Sequence, residues 1–188
     1  MGRWESDARG RLARAALELY AERGFEQTTV EEIAERAGVT ERTYFRHFAD
    51  KREVLFDGSA TLQQFIVDAI ASAPASTGPL DAVGEAFARA GELLEERREH
   101  ARLRAGVIAA NPSLQERELL KFATLGTAAT AALRARGVPD PGAGLAAAAG
   151  LTAFSVGFNT WVADPTSTDL AGCIRAALAA LRAVTQPS

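Results

Sequence analysis

The sequence predicts an all-α chain of about nine helices, and three observations predict it. Apolar residues recur at three-and-four spacing along most of its length, and no segment keeps the strict alternation of a half-buried strand. Glycine and proline punctuate those stretches, at Gly24, Gly38, Pro74 to Pro79, Pro112, Gly137 to Gly142 and Pro165. Apolar residues make up 47% of 188 positions, an ordinary share for a folded soluble chain, so wholesale disorder is excluded and a sizeable core is expected.

Leu12, Ala16 and Leu19 form the stripe of a first helix, which Gly24 ends, with Phe25 packing back beneath it. Thr29 with Glu32 three residues on is a capping box opening a second helix, striped by Val30, Ile33, Ala34 and Ala37. Gly38 supplies the backbone freedom needed just past that helix. Thr40 caps a third, polar helix carrying Glu41, Arg42, Thr43, Arg46 and His47. A helix, a tight glycine turn and a polar second helix make a helix-turn-helix, whose second helix lies in the DNA major groove.

Asp50 marks the next helix start. Leu55, Leu62, Phe65, Ile66, Ala69 and Ile70 keep helical spacing for about five turns. The boundary is therefore expected as a shared helix near 51–70, with residues 1–50 as the helix-turn-helix domain and 51–188 as the rest. PASTGP (Pro74 to Pro79) breaks the chain before a helix striped by Leu80, Val83, Phe87, Ala90 and Leu94. The run EERREH (Glu95 to His100) has mixed signs and is expected as a solvated helix end or turn. Leu103, Val107 and Ile108 continue as a short helix. Asn111–Pro112 opens a long one with Leu119, Phe122, Leu125, Ala129 and Leu133, and GVPDPG stops it. The next helix, 143–163, holds no charge, and Asp164–Pro165 closes it. Leu170, Ile174, Ala177, Leu178, Leu181 and Val184 form the last.

The chain carries 21 basic and 24 acidic side chains, a net charge of −3. The distribution matters more than the sum. Residues 1–52 hold ten of each sign, so the excess negative charge lies beyond them. From Arg42 to Arg52 there are four basic groups against Asp50, a local patch suited to phosphates. Glu31, Glu32 and Glu35 then have to face away from a duplex.

Cys173 is the only cysteine, so no intrachain disulfide forms, which suits a reducing cytoplasm. His47 and His100 are the only histidines, no metal-ligand cluster appears, and no cofactor is implied. Gly142-Ala143-Gly144 begins a dinucleotide pattern, but Ala147 stands at its third glycine and no strand precedes it. Nothing points to an enzyme. The uncharged span 143–163 is long enough to cross a bilayer. Its alanine, glycine and hydroxyl content favours a buried helix or subunit interface over a membrane anchor.

Three runs carry a family resemblance: ALELYAERGF (Ala16 to Phe25), TTVEEIAERAGV (Thr28 to Val39) and TYFRHFADK (Thr43 to Lys51). Together they resemble the tetracycline-repressor-like (TetR) family of bacterial transcription regulators, over roughly Ala13 to Leu55. Beyond Leu55 the likeness is in helix number and order. The resemblance implies an N-terminal three-helix DNA-binding domain and a C-terminal helical ligand-binding and dimerisation domain.

It implies that Thr29 and the start of its helix hold a phosphate, with Val30 near a base edge. Thr40, Glu41, Arg42 and Thr43 begin the recognition helix. Arg42 suits a guanine, Thr43 a thymine methyl and Glu41 a cytosine amino group. His47 and Lys51 are expected on phosphates. The family usually has a Leu-like residue followed by Tyr where this chain has Tyr44 and Phe45. Phe45 then offers the backbone only apolar contact, and the Tyr44 hydroxyl needs a partner at the edge of the core.

The resemblance further implies a cytoplasmic homodimer joined through its last two helices on a near-palindromic double-stranded DNA operator, with repression as the default. It implies release by a small-molecule effector bound among the middle helices. Phe87, Leu94, Val107, Phe122, Leu125, Phe154, Phe158 and Trp161 are the wall candidates and suit an apolar or amphipathic ligand. Arg102 and Arg104 are candidates for an anionic head group.

Overall fold

The computed structural model describes residues 2–164, 166–167 and 169–185, with side chains from Ala8 to Val184 within them. Among the described residues there are nine α-helices, two short 3-10 helices and no strand. The helices are α1 (Gly2–Arg23), α2 (Val30–Arg36), α3 (Glu41–His47), α4 (Ser59–Ser72), α5 (Pro79–Leu94), α6 (Arg98–Ala109), α7 (Pro112–Ala135), α8 (Gly142–Ala163) and α9 (Leu170–Thr185). The chain falls into two compact units, one of residues 1–58 with 102–118, the other of 59–101 with 119–188. The first unit thus runs past residue 50 and takes in a later segment that local patterning does not reveal.

In the first unit, Leu12, Leu19 and Tyr20 of α1, Ile33 of α2 and Tyr44 of α3 share one core with Val54, Leu55 and Phe56. Val107, Ile108 and Leu114 complete it from the later segment. Arg104 joins them: its guanidinium donates to the Leu55 carbonyl at 2.7 Å and to Glu118 at 3.2 Å, and lies over the Phe56 ring. Arg117 pairs with Glu53. Arg104 is thus engaged with protein groups, and burial pushes its pKa down while Glu118 opposes this.

The expected continuous helix over 51–70 is broken. A turn at Lys51–Arg52 leads into a 3-10 helix, Glu53–Phe56, and α4 begins only at Ser59. Asp50 Oδ1 accepts from the main-chain N–H groups of Arg52 and Glu53, and Gly58 sits at φ 81°, in the left-handed region. The signal was present in the sequence as Asp57-Gly58, a turn dipeptide inside an otherwise helical pattern.

In the second unit α5, α8 and α9 pack at the closest approach glycine allows. A Cβ on Gly157 of α8 would stand 2.7 Å from the Ile174 main-chain nitrogen in α9. One on Gly150 would meet Val83 of α5 at 2.2 Å, and one on Gly84 would meet Leu178 of α9 at 2.4 Å. The small residues of α8 are therefore used within the chain. Its buried side carries Ala143, Ala147, Gly150, Phe154 and Trp161. By length and composition α8 would span a membrane, and here it packs against α5 and α9.

The charged run at Glu95 is a clamp. Glu95–Arg97 forms the second 3-10 helix. Glu95 accepts from the Trp161 indole at 3.2 Å and from the main-chain N–H of Leu170, which opens α9, at 2.8 Å. Arg98 donates to the carbonyls of Trp161, in the last turn of α8, and of Asp164, just past its end. Pro165, expected to close that helix, lies outside the described residues.

Candidate nucleic-acid interface

Both caps read from the sequence are present. Thr29 Oγ1 accepts from the Glu32 N–H at 3.2 Å, and Glu32 accepts from the Thr29 N–H at 2.9 Å, a complete capping box. That N–H first, with Arg23 at 2.8 Å adding, holds the Glu32 carboxyl below its usual range. Thr40 caps α3 by accepting from the Thr43 N–H at 3.2 Å, and the two threonine hydroxyls lie 3.1 Å apart. Gly38, at φ 67°, turns the chain between α2 and α3. Only glycine takes that conformation freely, which fixes the angle at which α3 leaves.

The N-terminus of α3 faces solvent. Thr40, Glu41 and Arg42 are exposed and Thr43 half-buried. Glu41 and Arg42 have no hydrogen bond or ion pair among the described residues, so both remain available to base edges. Thr43 has its hydroxyl on Thr40 and keeps a methyl for apolar contact. Thr29 is exposed, and Val30 is half-buried against the core.

Tyr44 and Phe45 sit as their order in the sequence requires. Tyr44 is fully buried and donates to the Asp50 carbonyl at 3.1 Å. Phe45 is 54% exposed, a large ring held out in water beside the polar face of α3. Burial, then Asp50, push the pKa of Tyr44 up, so it stays a neutral donor. His47 is half-buried, and its Nε2 is buried without a hydrogen-bond partner.

The basic patch is thinner than its composition suggests. Arg52 is engaged with Asp50 at 2.8 Å, holding that carboxyl below its ordinary value. Lys51, expected on a phosphate, turns inward to carbonyls of the α1–α2 loop, those of Phe25 at 2.7 Å and Thr28 at 3.2 Å. Tyr20 also belongs to this region, with no local signal in the sequence to place it there. It is 2% exposed and donates to the Lys51 carbonyl at 2.6 Å. The sequence shows only a tyrosine at the buried end of a helical stripe, whose hydroxyl must find an acceptor.

A family model for bacterial regulatory proteins of the tetR family matches residues 12–57, and one for the MftR C-terminal domain matches residues 77–186, more than half of the chain. The chain belongs to the TetR family. This TetR-family chain is 44% identical over 79 residues to the HTH-type transcriptional regulator TcmR of Streptomyces glaucescens, a match covering 42% of this chain and 35% of that protein. It is 43% identical over 47 residues to the HTH-type transcriptional repressor KstR2 of Mycobacterium tuberculosis, covering 25% and 24% of the two. The chain therefore spans about a third or less of the length of these relatives. Two solved TetR-like structures share its fold. One is the SmeT–triclosan complex, with a TM-score of 0.65 at 21% identity over 92% of this chain and 90% of that one. The other is Thermus thermophilus FadR with lauroyl-CoA, with 0.59 at 24% identity over 96% of each. The family so matched is one of bacterial regulatory proteins.

Of the eight wall candidates, seven lie in or against the core of the second unit. Phe87, Leu125, Phe154 and Trp161 are buried there, and Leu94, Phe122 and Phe158 pack against them. The rings form a connected row. Phe87 lies 5.2 Å from Phe154, Phe154 6.0 Å from Phe158, and Phe158 5.8 Å from Trp161, with Phe122 edge-on to Phe154 at 6.3 Å. Val107 is the exception, because it belongs to the core of the first unit. Its helix carries the chain from one unit to the other, a change of surroundings that periodicity does not register.

Proposed function

We propose that the chain is a cytoplasmic, homodimeric repressor that binds a near-palindromic operator and is released by an apolar or amphipathic small molecule. The observation that carries the DNA-reading part is the capped, solvent-facing start of α3, where Glu41 and Arg42 have no partner among the described residues. Arg42 reads a guanine, Thr43 a thymine methyl, and Glu41 a cytosine amino group or the orientation of Arg42. Thr29 with the first N–H groups of α2, Phe45 and His47 position the backbone.

The dimer reading is supported by an uncharged outer face. Leu145, Ala148, Thr152, Val156 and Asn159 lie exposed at helical spacing on α8, and Ala176, Ala179, Ala180 and Ala183 lie exposed on α9. Leu145 is 66% and Val156 52% exposed, unusual for a helix without charge to keep it in water. A second copy covering this face would form a four-helix contact and place two α3 helices about 34–36 Å apart.

The row from Phe87 to Trp161 supports an apolar effector, and the lauroyl-CoA and triclosan complexes are of that character. Release follows only if the effector binds better to a dimer whose α3 helices are wrongly spaced. The test is to select duplexes from a random pool, sediment the protein with the winner, and screen apolar and amphipathic metabolites for release. A palindromic consensus bound by two chains is expected. A monomer at micromolar concentration bound to asymmetric sites would overturn the reading.

A further inference from the structure

We propose that Lys51 is a positioning residue that locks the α1–α2 loop, and that its ammonium is not a phosphate ligand. The proposal deepens the DNA-binding reading and rests on it. An ammonium has three donors and no acceptor. Lys51 Nζ meets three carbonyl oxygens: Phe25 at 2.7 Å, Thr28 at 3.2 Å and Glu26 at 3.4 Å. It also stands 4.2 Å from the centroid of the Phe25 ring, a cation–π contact. A phosphate could gain this ammonium only by taking a donor from one of those carbonyls.

The other side of the lock is equally fixed. The Lys51 carbonyl accepts from Tyr20 at 2.6 Å, and the Asp50 carbonyl from Tyr44 at 3.1 Å. Both tyrosines are buried in the first unit's core, so the main chain at 50–51 is tied to α1 and α3 while the side chain grips the loop before α2. Thr28, 1% exposed, adds a bond from its hydroxyl to the Gly24 carbonyl at 2.9 Å. The residue after it is Thr29, the cap of α2 and the proposed phosphate contact. Lys51 therefore acts on DNA through Thr29: it sets where the N-terminus of α2 stands relative to α3.

The two roles separate with substitutions that keep the charge. Arginine is at least as good as lysine on a phosphate, but its planar fork does not match three carbonyls converging on one point. Lys51→Arg and Tyr20→Phe should each weaken binding to the selected duplex by about tenfold, the scale of one charge-assisted hydrogen bond. Neither should change the slope of log K against log salt, because neither alters phosphate neutralisation.

Circular dichroism and melting check that each variant is folded, and if Lys51→Arg does not fold, Tyr20→Phe carries the test. In the free wild-type protein the Lys51 ammonium protons should give a slowly exchanging NMR resonance that duplex leaves in place. Lys51→Arg binding as tightly as wild type, or an ammonium resonance seen only with DNA, would overturn the proposal. So would a lowered melting midpoint with unchanged affinity, which marks a purely structural role. Wild type that selects no duplex would defeat the DNA reading instead, and the ammonium resonance would still decide the lock.

Discussion

In the unit that carries α2 and α3, loops are fixed by long polar side chains reaching main-chain carbonyls. In the unit built on α5, α8 and α9, the helices meet at positions with no side chain at all, and the Glu95–Arg98 clamp ties only the end of α8 to the start of α9. Lys51, Tyr20, Tyr44 and Arg104 do the first work, each spanning a gap with a directed hydrogen bond. Gly84, Gly150 and Gly157 do the second, each leaving room that a neighbouring helix fills. The difference suits the two tasks. A helix-turn-helix proposed to read bases needs a few atoms held at set angles, which hydrogen bonds supply. A helix stack needs broad contact at short range, which dispersion and apolar burial supply without fixing any one group.

The sharpest way to break this comparison is at Gly157. Gly157→Ala puts a methyl against α9 backbone, which cannot rotate away, and should cost about 3 kcal/mol in urea unfolding. Gly144 lies on the same helix with nothing within 4 Å of an added Cβ, so Gly144→Ala should instead stabilise by about 0.5–1 kcal/mol. Equal effects at the two sites would mean that the close approach of α8 and α9 is not what holds this unit.

Arg42 should behave in the opposite way, costing recognition and not stability. Arg42→Ala should relax preference at one base pair by about 1–3 kcal/mol and leave the melting midpoint in place. An unchanged base preference would remove Arg42 from the base-reading set.

Thr29→Ala should do both on a smaller scale. Loss of the capping box is expected to cost about 1 kcal/mol of stability, and binding should weaken alike on all duplexes, since the contact is to backbone. A sequence-dependent loss would move Thr29 from positioning to reading.

The smallest effect is electrostatic. Arg52 first, then two main-chain N–H groups, hold the Asp50 carboxyl below its ordinary value of 3.8. A depressed folded pKa means that its stabilisation is present above the ordinary value and lost as pH falls through the lower one. Asp50→Asn should therefore flatten the acid limb of stability below about pH 4. A limb of unchanged steepness would show that Arg52 adds little there.

Much of the helix-turn-helix was legible because its signals are local. The capping box at Thr29, the cap at Thr40 and the turn at Gly38 each involve residues within a few positions of one another. The exposed Phe45 and buried Tyr44 followed from their order on one short helix. What escaped was long-range. The grip of Lys51 on a loop some 25 residues earlier, the Glu95–Arg98 clamp on the end of α8, and the recruitment of Val107 into the first unit's core all join distant segments. Their side chains look like surface charge or ordinary stripe when viewed along the chain.

The sequence by itself determined the helices, their caps and the helix-turn-helix, because periodicity and capping are set within one or two turns. It also determined which side chains the start of α3 exposes. Only the tertiary structure decided which of its charges remain at the surface and which are engaged inside the protein. A lysine finds its partners in three dimensions, and three carbonyls converging on one ammonium exist only once α1, its following loop and the turn at Asp50 have come together.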